Sequence, residues 1–319
     1  MTLISQRLEK LLASSDQQAA IDAEAYSGLD PELFRDSSKY YRGKVRDLVI
    51  AADQIQMIHS DRLTAFDRSI AMVPYKGVIL CAMNHFWLQL ISSRMPTHLL
   101  TQSDERTLVC RKTTPVKIEV VVRGYLAGSM ARAYASGERC FAGVELADGL
   151  SEFQCLKTPI VTPTTKAAVF EHDEPKSADD LIAAGACSRR EWDDISRLAL
   201  ELYAIGAEHC RQRGWMLVDT KYEFGRLPDG QICVIDEVHT PDSSRFWVAK
   251  SYAERIKSGK APEMFDKEPI RRWLIEHGFS GYGDVPKVPP TLMIQLAQSY
   301  LYVAESLMGR SLQTRFGEI

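Results

Sequence analysis

Apolar and polar positions alternate along several stretches of the chain, and each change of period marks a change of element. Residues 3 to 13 repeat at helical spacing, and "DPELF" (30 to 34) reads as a short turn. The run "KVRDLVIAADQIQMIHS" (44 to 60) predicts two strands folded about Ala52-Asp53, a β-hairpin near the N-terminus. "LCAMNHFWLQLISSR" (80 to 94) is apolar at helical intervals and stops before Pro96, whereas "RTLVCRK" and "VKIEVVVRGYL" return to β-branched runs. After Gly128, "SMARAYASG" predicts a short helix opening near Ser129 and closing at Gly137, and residues 138 to 176 carry no regular pattern. Ser177 with Asp180 and Ser188 with Glu191 are capping-box pairs, the second opening a long amphipathic helix that ends near Gly214. Further helices are expected over 267 to 277 and 290 to 308. Strands first and helices later predict an α+β protein with a strand-rich lobe (1 to 115, with a helical N-terminal extension) and a second α+β lobe (116 to 319) ending in helices. A cleft between two lobes is a natural ligand site.

Composition adds mainly exclusions. A formal net charge of -3 supplies no general basic field, so nucleic-acid binding is not expected. No apolar run is long enough to span a membrane, and Glu9 and Lys10 interrupt the only N-terminal run resembling a signal, so the expected compartment is the cytoplasm. Seven scattered cysteines without a C-x-x-C pair point to reduced thiols rather than zinc ligands or disulfides.

The densest chemistry lies in "WMLVDTKYEFGRLPDGQICVIDEVHTPDSSRFW" (215 to 247). A two-residue Asp229-Gly230 turn pairs Pro228 with Gln231 and places Glu223 opposite Asp236, with Asp219 and Lys221 on the Glu223 face. Facing carboxylates repel, and a shared divalent cation relieves the repulsion. Hard oxygen ligands favour Mg²⁺, which usually carries nucleotide phosphates. Two solvated acids on a sheet edge would show the same pattern, and a one-residue slip would put Glu237 in the place of Asp236; in the predicted register Glu237 points to the other face. "YYRGKVRDL" (40 to 48) offers a phosphate-covering hairpin, with Gly43 permitting close backbone approach and Arg42, Lys44 and Arg46 alternating along one side. A solubilising edge strand would show the same alternation. "VVVRGYLAGS" sets Arg123 and Ser129 about two glycines, suited to an anion, and "TPTTKAAVFEHDEP" (162 to 175) is a long polar loop of the kind often used functionally; His172 within it reads as structural.

Six collinear stretches, "RGKVRD", "DRLTAFD", "VVVRGYLAGS", "TPTTKA" with "EHDE", "LVDTKYEFG" and "DEVHTPDSSRFW", together resemble the SAICAR synthetase (phosphoribosylaminoimidazole-succinocarboxamide synthase) family from about residue 40 to 308. The resemblance implies a two-lobed α+β fold related to ATP-grasp proteins, with ATP between the lobes. It implies an ATP-dependent ligase joining carboxyaminoimidazole ribonucleotide (CAIR) to L-aspartate in purine biosynthesis. By motif, Gly43, Lys44, Arg46 and Lys112 would serve ATP, and Glu223 and Asp236 would hold Mg²⁺. Arg123, Ser129 and Arg245 would grip CAIR phosphate or carboxylates, Lys221 and Asp219 would line the reacting centre, and Ser243 and Ser244 are candidates for the aspartate pocket. Tyr40, Tyr41, His239 and the N-terminal extension depart from the shorter family forms, and the longer form suggests a monomer rather than a homodimer. A small-molecule kinase and a noncatalytic nucleotide-binding module are the competing readings of the same cleft.

Overall fold

The computed structural model describes residues 2–33, 39–166 and 173–312. In chain order its helices are α1 (Leu3–Ala13), α2 (Gln17–Glu24), α3 (Lys76–Ile91), α4 (Gly128–Ala135), α5 (Ala178–Ala183), α6 (Arg189–Gln212), α7 (Ala249–Lys257), α8 (Glu268–Glu276) and α9 (Pro290–Met308). The strands are β1 (Tyr40–Arg42), β2 (Arg46–Ile50), β3 (Gln54–His59), β4 (Arg62–Ala65), β5 (Arg68–Met72), β6 (Leu99–Gln102), β7 (Thr107–Arg111) and β8 (Thr114–Pro115). They continue with β9 (Ile118–Tyr125), β10 (Cys140–Phe141), β11 (Val144–Glu145), β12 (Cys155–Thr165), β13 (Trp215–Arg226), β14 (Ile232–Ile235) and β15 (Ser244–Val248).

Two sheets carry the architecture. The first runs β1-β2-β3-β7-β6, all antiparallel, and includes the predicted hairpin, closed where the Ala51 N–H donates to the Gln54 carbonyl at 2.9 Å. The second runs β12-β9-β13-β14, with β15 and β8 also pairing β13. Helix α3 buries Ile79, Met83, Trp87 and Leu88 in a core shared with Ile294, Tyr300 and Leu301 of α9, and α1 adds Ile4 and Leu8 to the same cluster. The N-terminal extension thus packs on the C-terminal helix. Both capping boxes form, at Ser177 with Asp180 and Ser188 with Glu191.

Three expectations need correction. Residues 155 to 165, expected to be irregular, form an eleven-residue strand. Its Pro159 and Pro163 mask the pattern, yet they are tolerable because β12 is the end strand of its sheet, where a missing donor is least costly. The Asp229-Gly230 turn is not a two-residue loop. Leu227 N–H donates to the Gln231 carbonyl at 2.9 Å and Gly230 N–H to the Leu227 carbonyl at 2.8 Å, while Gly230 has φ 86°. Pro228 favours the second position of an ordinary type I turn, and Gly230 supplies the left-handed residue that follows it. The register therefore slips by one, and Glu223 faces Ile235 rather than Asp236. Finally, residues 243 to 245, which the sequence leads one to expect as a turn that binds substrate, are mostly strand: Ser244 and Arg245 open β15 and Ser243 precedes it.

Candidate active site

A cavity of about 640 Å³ opens between the first sheet and the faces of β9 and β13. The two-residue period of a strand explains its floor: Glu119, Val121 and Arg123 on β9, and Asp219, Lys221 and Glu223 on β13, all line it. In register, Asp219 lies between Arg123 of β9 and Arg245 of β15, its neighbours on either side. Arg245 Nη1 contacts both Asp219 oxygens, at 3.0 and 2.8 Å, and its Nη2 donates to Glu268 at 3.1 Å. Arg123 lies 3.7 Å from Asp219, donates from Nε to Thr162 Oγ1 at 2.9 Å and reaches Ser129 Oγ at 3.4 Å. Burial pushes the Arg123 guanidinium down to about 10, with Asp219 opposing. A side chain at Gly128 would run into the Arg245 guanidinium, so the glycine before Ser129 admits that arginine.

Lys221 Nζ sits among three carboxylates, 3.0 Å from Glu119 Oε1, 2.8 Å from Glu223 Oε1 and 4.0 Å from Asp236 Oδ2. Lys166 also pairs with Glu223. Burial works to raise the Glu223 carboxyl, but Lys221 and Lys166 hold it well below the usual carboxylate range. Burial pushes Glu119 up to about 7 against the pull of Lys221, and raises Asp236 against the pull of Arg46.

Glu223 and Asp236 therefore converge despite the slipped register. Asp236 stands just beyond β14 with φ 65°, a left-handed turn that swings its carboxylate back toward β13. Asn84 of α3 clamps that turn, donating from Nδ2 to the Asp236 carbonyl at 2.9 Å and accepting from the Val238 N–H at 3.1 Å. Glu237 does not point away as the predicted register requires. It lines the cavity, lies 3.4 Å from Arg46 and accepts from Thr240 Oγ1 at 2.6 Å. Among the described residues no cluster of three His, Cys, Asp or Glu side chains forms a ready-made metal centre. Glu223 and Asp236 are the two convergent carboxylates that would hold a divalent cation, and such an ion would take the place of the Lys221, Lys166 and Arg46 contacts that now neutralise them.

The phosphate-hairpin residues divide. Gly43, Lys44 and Arg46 line the cavity, but Arg42 pairs with Asp47 on the opposite limb of the β1-β2 hairpin and does not join them. The strand breaks at Gly43, so the expected row of three cations is absent; a β-carbon there would meet the Arg46 carbonyl at 2.6 Å. Arg46 is tied to Asp236 at 2.7 Å and Lys44 to Asp67 at 2.8 Å. Lys112 is exposed and lies off the cavity wall, where Thr113 and Pro115 stand instead. Ser243 and Ser244 both line the cavity, and Ser244 Oγ donates to Thr220 Oγ1 at 2.8 Å. Of the "EHDE" stretch, Glu171 and His172 lie outside the described residues, whereas Asp173 lines the cavity.

Several lining groups escaped the sequence reading. Glu119 could have been found, since it shares the two-residue period of Arg123. Asp242, Lys267 and Arg271 could not, because only the fold brings them together. Asp242 lies 3.5 Å from Lys267 and 3.4 Å from the buried Lys76, and accepts from Tyr300 OH at 3.0 Å. Burial pushes the Lys267 ammonium down to about 8 against Asp242, and Asp266 up to about 6.

Among the described residues the lining holds nine basic and nine acidic side chains, and most of its cations are already paired with lining acids or with Glu268, so a polyanion exchanges for internal pairs or arrives with its own counter-cation. Fold and cavity together define an α+β protein with a cleft of small-molecule size lined by paired charges. The family profile described as SAICAR synthetase matches residues 39–287. A phosphoribosylaminoimidazole-succinocarboxamide synthase of Legionella pneumophila is 41% identical over 279 residues, covering 86% of this chain and 88% of that one. A chloroplastic counterpart from Arabidopsis thaliana is 41% identical over 274 residues, covering 84% and 66%. Among solved structures, SAICAR synthase from Saccharomyces cerevisiae complexed with SAICAR superposes with a TM-score of 0.73 at 29% identity, covering 85% and 95%. A type-2 SAICAR synthetase in complex with ADP gives 0.67 at 26% identity, covering 86% and 99%. The chain belongs to the SAICAR synthetase family.

Proposed function

We propose that this cavity is the active site of an ATP-dependent ligase of purine biosynthesis, which joins CAIR to L-aspartate and releases SAICAR, ADP and phosphate. The observation that carries the reading is the pairing, in one cleft, of an Arg123-Asp219-Arg245 row with the Lys221 carboxylate cluster. A carboxylate is a poor electrophile. Transfer of the γ-phosphoryl group to a CAIR carboxylate oxygen gives an acyl phosphate and ADP. Attack by the neutral aspartate amine on the acyl carbon then expels phosphate, and the amine gives up a proton as the amide forms. Such chemistry calls for positioning and charge neutralisation rather than a protein nucleophile.

In this reading Gly43, Lys44 and Arg46 cover the ATP phosphates. Arg123, Ser129 and Arg245 grip CAIR, the two guanidiniums exchanging part of their contact with Asp219 for phosphate or carboxylate oxygens. Lys221 neutralises charge at the reacting carboxylate, Asp219 holds the arginines in place, and Ser243 and Ser244 face the aspartate. Glu223 and Asp236 would hold Mg²⁺, which when bound neutralises charge on the nucleotide phosphates. Two lobes meeting near residue 115 enclose the cleft. The enzyme works in the cytoplasm and as a monomer; α1 and α2 pack on α9 within the same chain, which takes that part of the helix out of reach of a second copy, and sedimentation at a dimer mass would contradict the monomer. No helix among the described residues is long and apolar enough to cross a membrane. ADP release measured with each substrate withheld in turn tests the reaction. Release should require CAIR and aspartate together; release with an alcohol acceptor, or none with all substrates present, would overturn it.

A further inference from the structure

The loop between β1 and β2 has its backbone carbonyls held from behind. Arg62, the first residue of β4 and buried, donates from Nη2 to the Gly43 carbonyl at 3.1 Å and from Nε to the Lys44 carbonyl at 3.2 Å. The next carbonyl, of Val45, accepts from Ser60 N–H at 3.2 Å and Ser60 Oγ at 2.7 Å. A trans peptide is planar, so each carbonyl points opposite to the N–H of the residue that follows. Three successive carbonyls turned toward Ser60 and Arg62 leave the N–H groups of Lys44, Val45 and Arg46 directed to the other side. Gly43 to Arg46 line the cavity. A run of N–H groups facing one way is an anion-binding concavity, whereas carbonyls in the same place would repel phosphate.

Arg62 is itself fixed by the N-terminal extension. Its Nη1 donates to the Ser27 carbonyl, and its Nη2 pairs with the buried Asp47 at 2.6 Å, whose other oxygen accepts from Leu29 N–H at 2.7 Å. Gly28, at φ 110°, lies so close that a β-carbon there would overlap both the Arg62 guanidinium and the Asp47 carboxylate. We propose that Arg62 is a positioning residue for nucleotide binding, and that residues 26 to 29 are the strap that holds it. The guanidinium, pinned between strap and loop, sets the peptide planes that present N–H groups to the phosphates. The inference rests on the reading of the cavity as the ATP site.

The test is the affinity for ADP, by calorimetry on the full chain, beside the steady-state KM values for CAIR and aspartate. Arg62→Lys keeps a charge near Asp47 but loses the planar fork that reaches two loop carbonyls and the strap. Gly28→Ala acts from the strap, outside the cavity, by pushing a β-carbon against the Arg62 guanidinium and the Asp47 carboxylate, and decides the matter if the arginine variant does not fold. Both should weaken ADP by about tenfold, close to 1.4 kcal/mol, with the KM values for CAIR and aspartate within about twofold of the parent. Unchanged ADP affinity accompanied only by a lower melting temperature would overturn the proposal, as would a parallel loss toward all three ligands. Failure of the parent protein to bind ADP would overturn the reading of the cavity as well, so the two failures are distinguishable.

Discussion

Replacing Lys221 by Met removes the ammonium that separates Glu119, Glu223 and Asp236 while keeping most of the side chain's bulk. Glu223 retains Lys166 and Asp236 retains Arg46, so Glu119 is the carboxylate left most exposed to the loss. Removing one partner of a buried pair costs about 3 to 5 kcal/mol, and Lys221 is 27% exposed, which places the expected loss near the lower bound, about 3 kcal/mol. Against a total stability of about 5 to 15 kcal/mol the variant still folds. At about 2 °C per kcal/mol the melting temperature should fall by roughly 6 °C. The loss must also depend on pH. Burial already raises Glu119 to about 7 with Lys221 present, and without the ammonium the carboxyl rises further. A carboxyl whose folded pKa exceeds its unfolded value binds more protons in the folded state, so stability falls as pH rises between the two values. Parent and variant diverge where Glu119 has ionised in one and not in the other, so the deficit should grow as pH rises above about 7 and be larger at pH 8 than at pH 5. Denaturant unfolding of both proteins at the two pH values, with activity measured in parallel, reads this out. Turnover should drop at least about 100-fold. An equal deficit at both pH values, or near-normal turnover, would refute the placement of Lys221 as the charge that holds this cluster.

Other expectations follow from the same geometry. Asp236→Asn leaves Arg46 its second acid, Glu237, so the fold should persist while Mg²⁺-dependent turnover disappears; parent-like turnover would remove Asp236 from the metal site. Arg245→Ala should raise the KM for an anionic substrate by about 10- to 100-fold, equivalent to roughly 1.4 to 2.7 kcal/mol, and unchanged KM values for CAIR and aspartate would exclude it from substrate binding. Because burial brings Lys267 down to about 8, its charge is lost as pH rises through that value. The kcat/KM for an acidic substrate should then fall with a midpoint near 8, and Lys267→Arg should abolish that midpoint. Ser188→Ala, which deletes the α6 cap far from the chemistry, should cost about 1 kcal/mol in unfolding experiments and leave kinetics unchanged.

How far the chain could be read depended on whether the signal was local. Both capping boxes, α9 and the β2-β3 hairpin were legible because side-chain spacing alone specifies them. Strand β12 was not, since its prolines suit an end strand and position within a sheet is not a local property. The Glu223 and Asp236 pairing was reached from the sequence with the wrong register. The strands do not bring these acids together: a left-handed Asp236 held by Asn84 from a distant helix does. Arg123, Asp219 and Arg245 were each singled out, but their alignment across three neighbouring strands needed the sheet order. Lys112 was drawn into the site by its motif alone, and the structure leaves it on the surface.

The central claim is that this cavity activates a carboxylate by phosphorylation so that an amine can displace phosphate. CAIR labelled with ¹⁸O in its carboxylate, turned over with unlabelled ATP and aspartate, tests that claim through the mass of the phosphate released. Phosphate should carry one labelled oxygen from the carboxylate, and SAICAR should keep the other in its new amide. Unlabelled phosphate accompanying SAICAR formation would contradict the account.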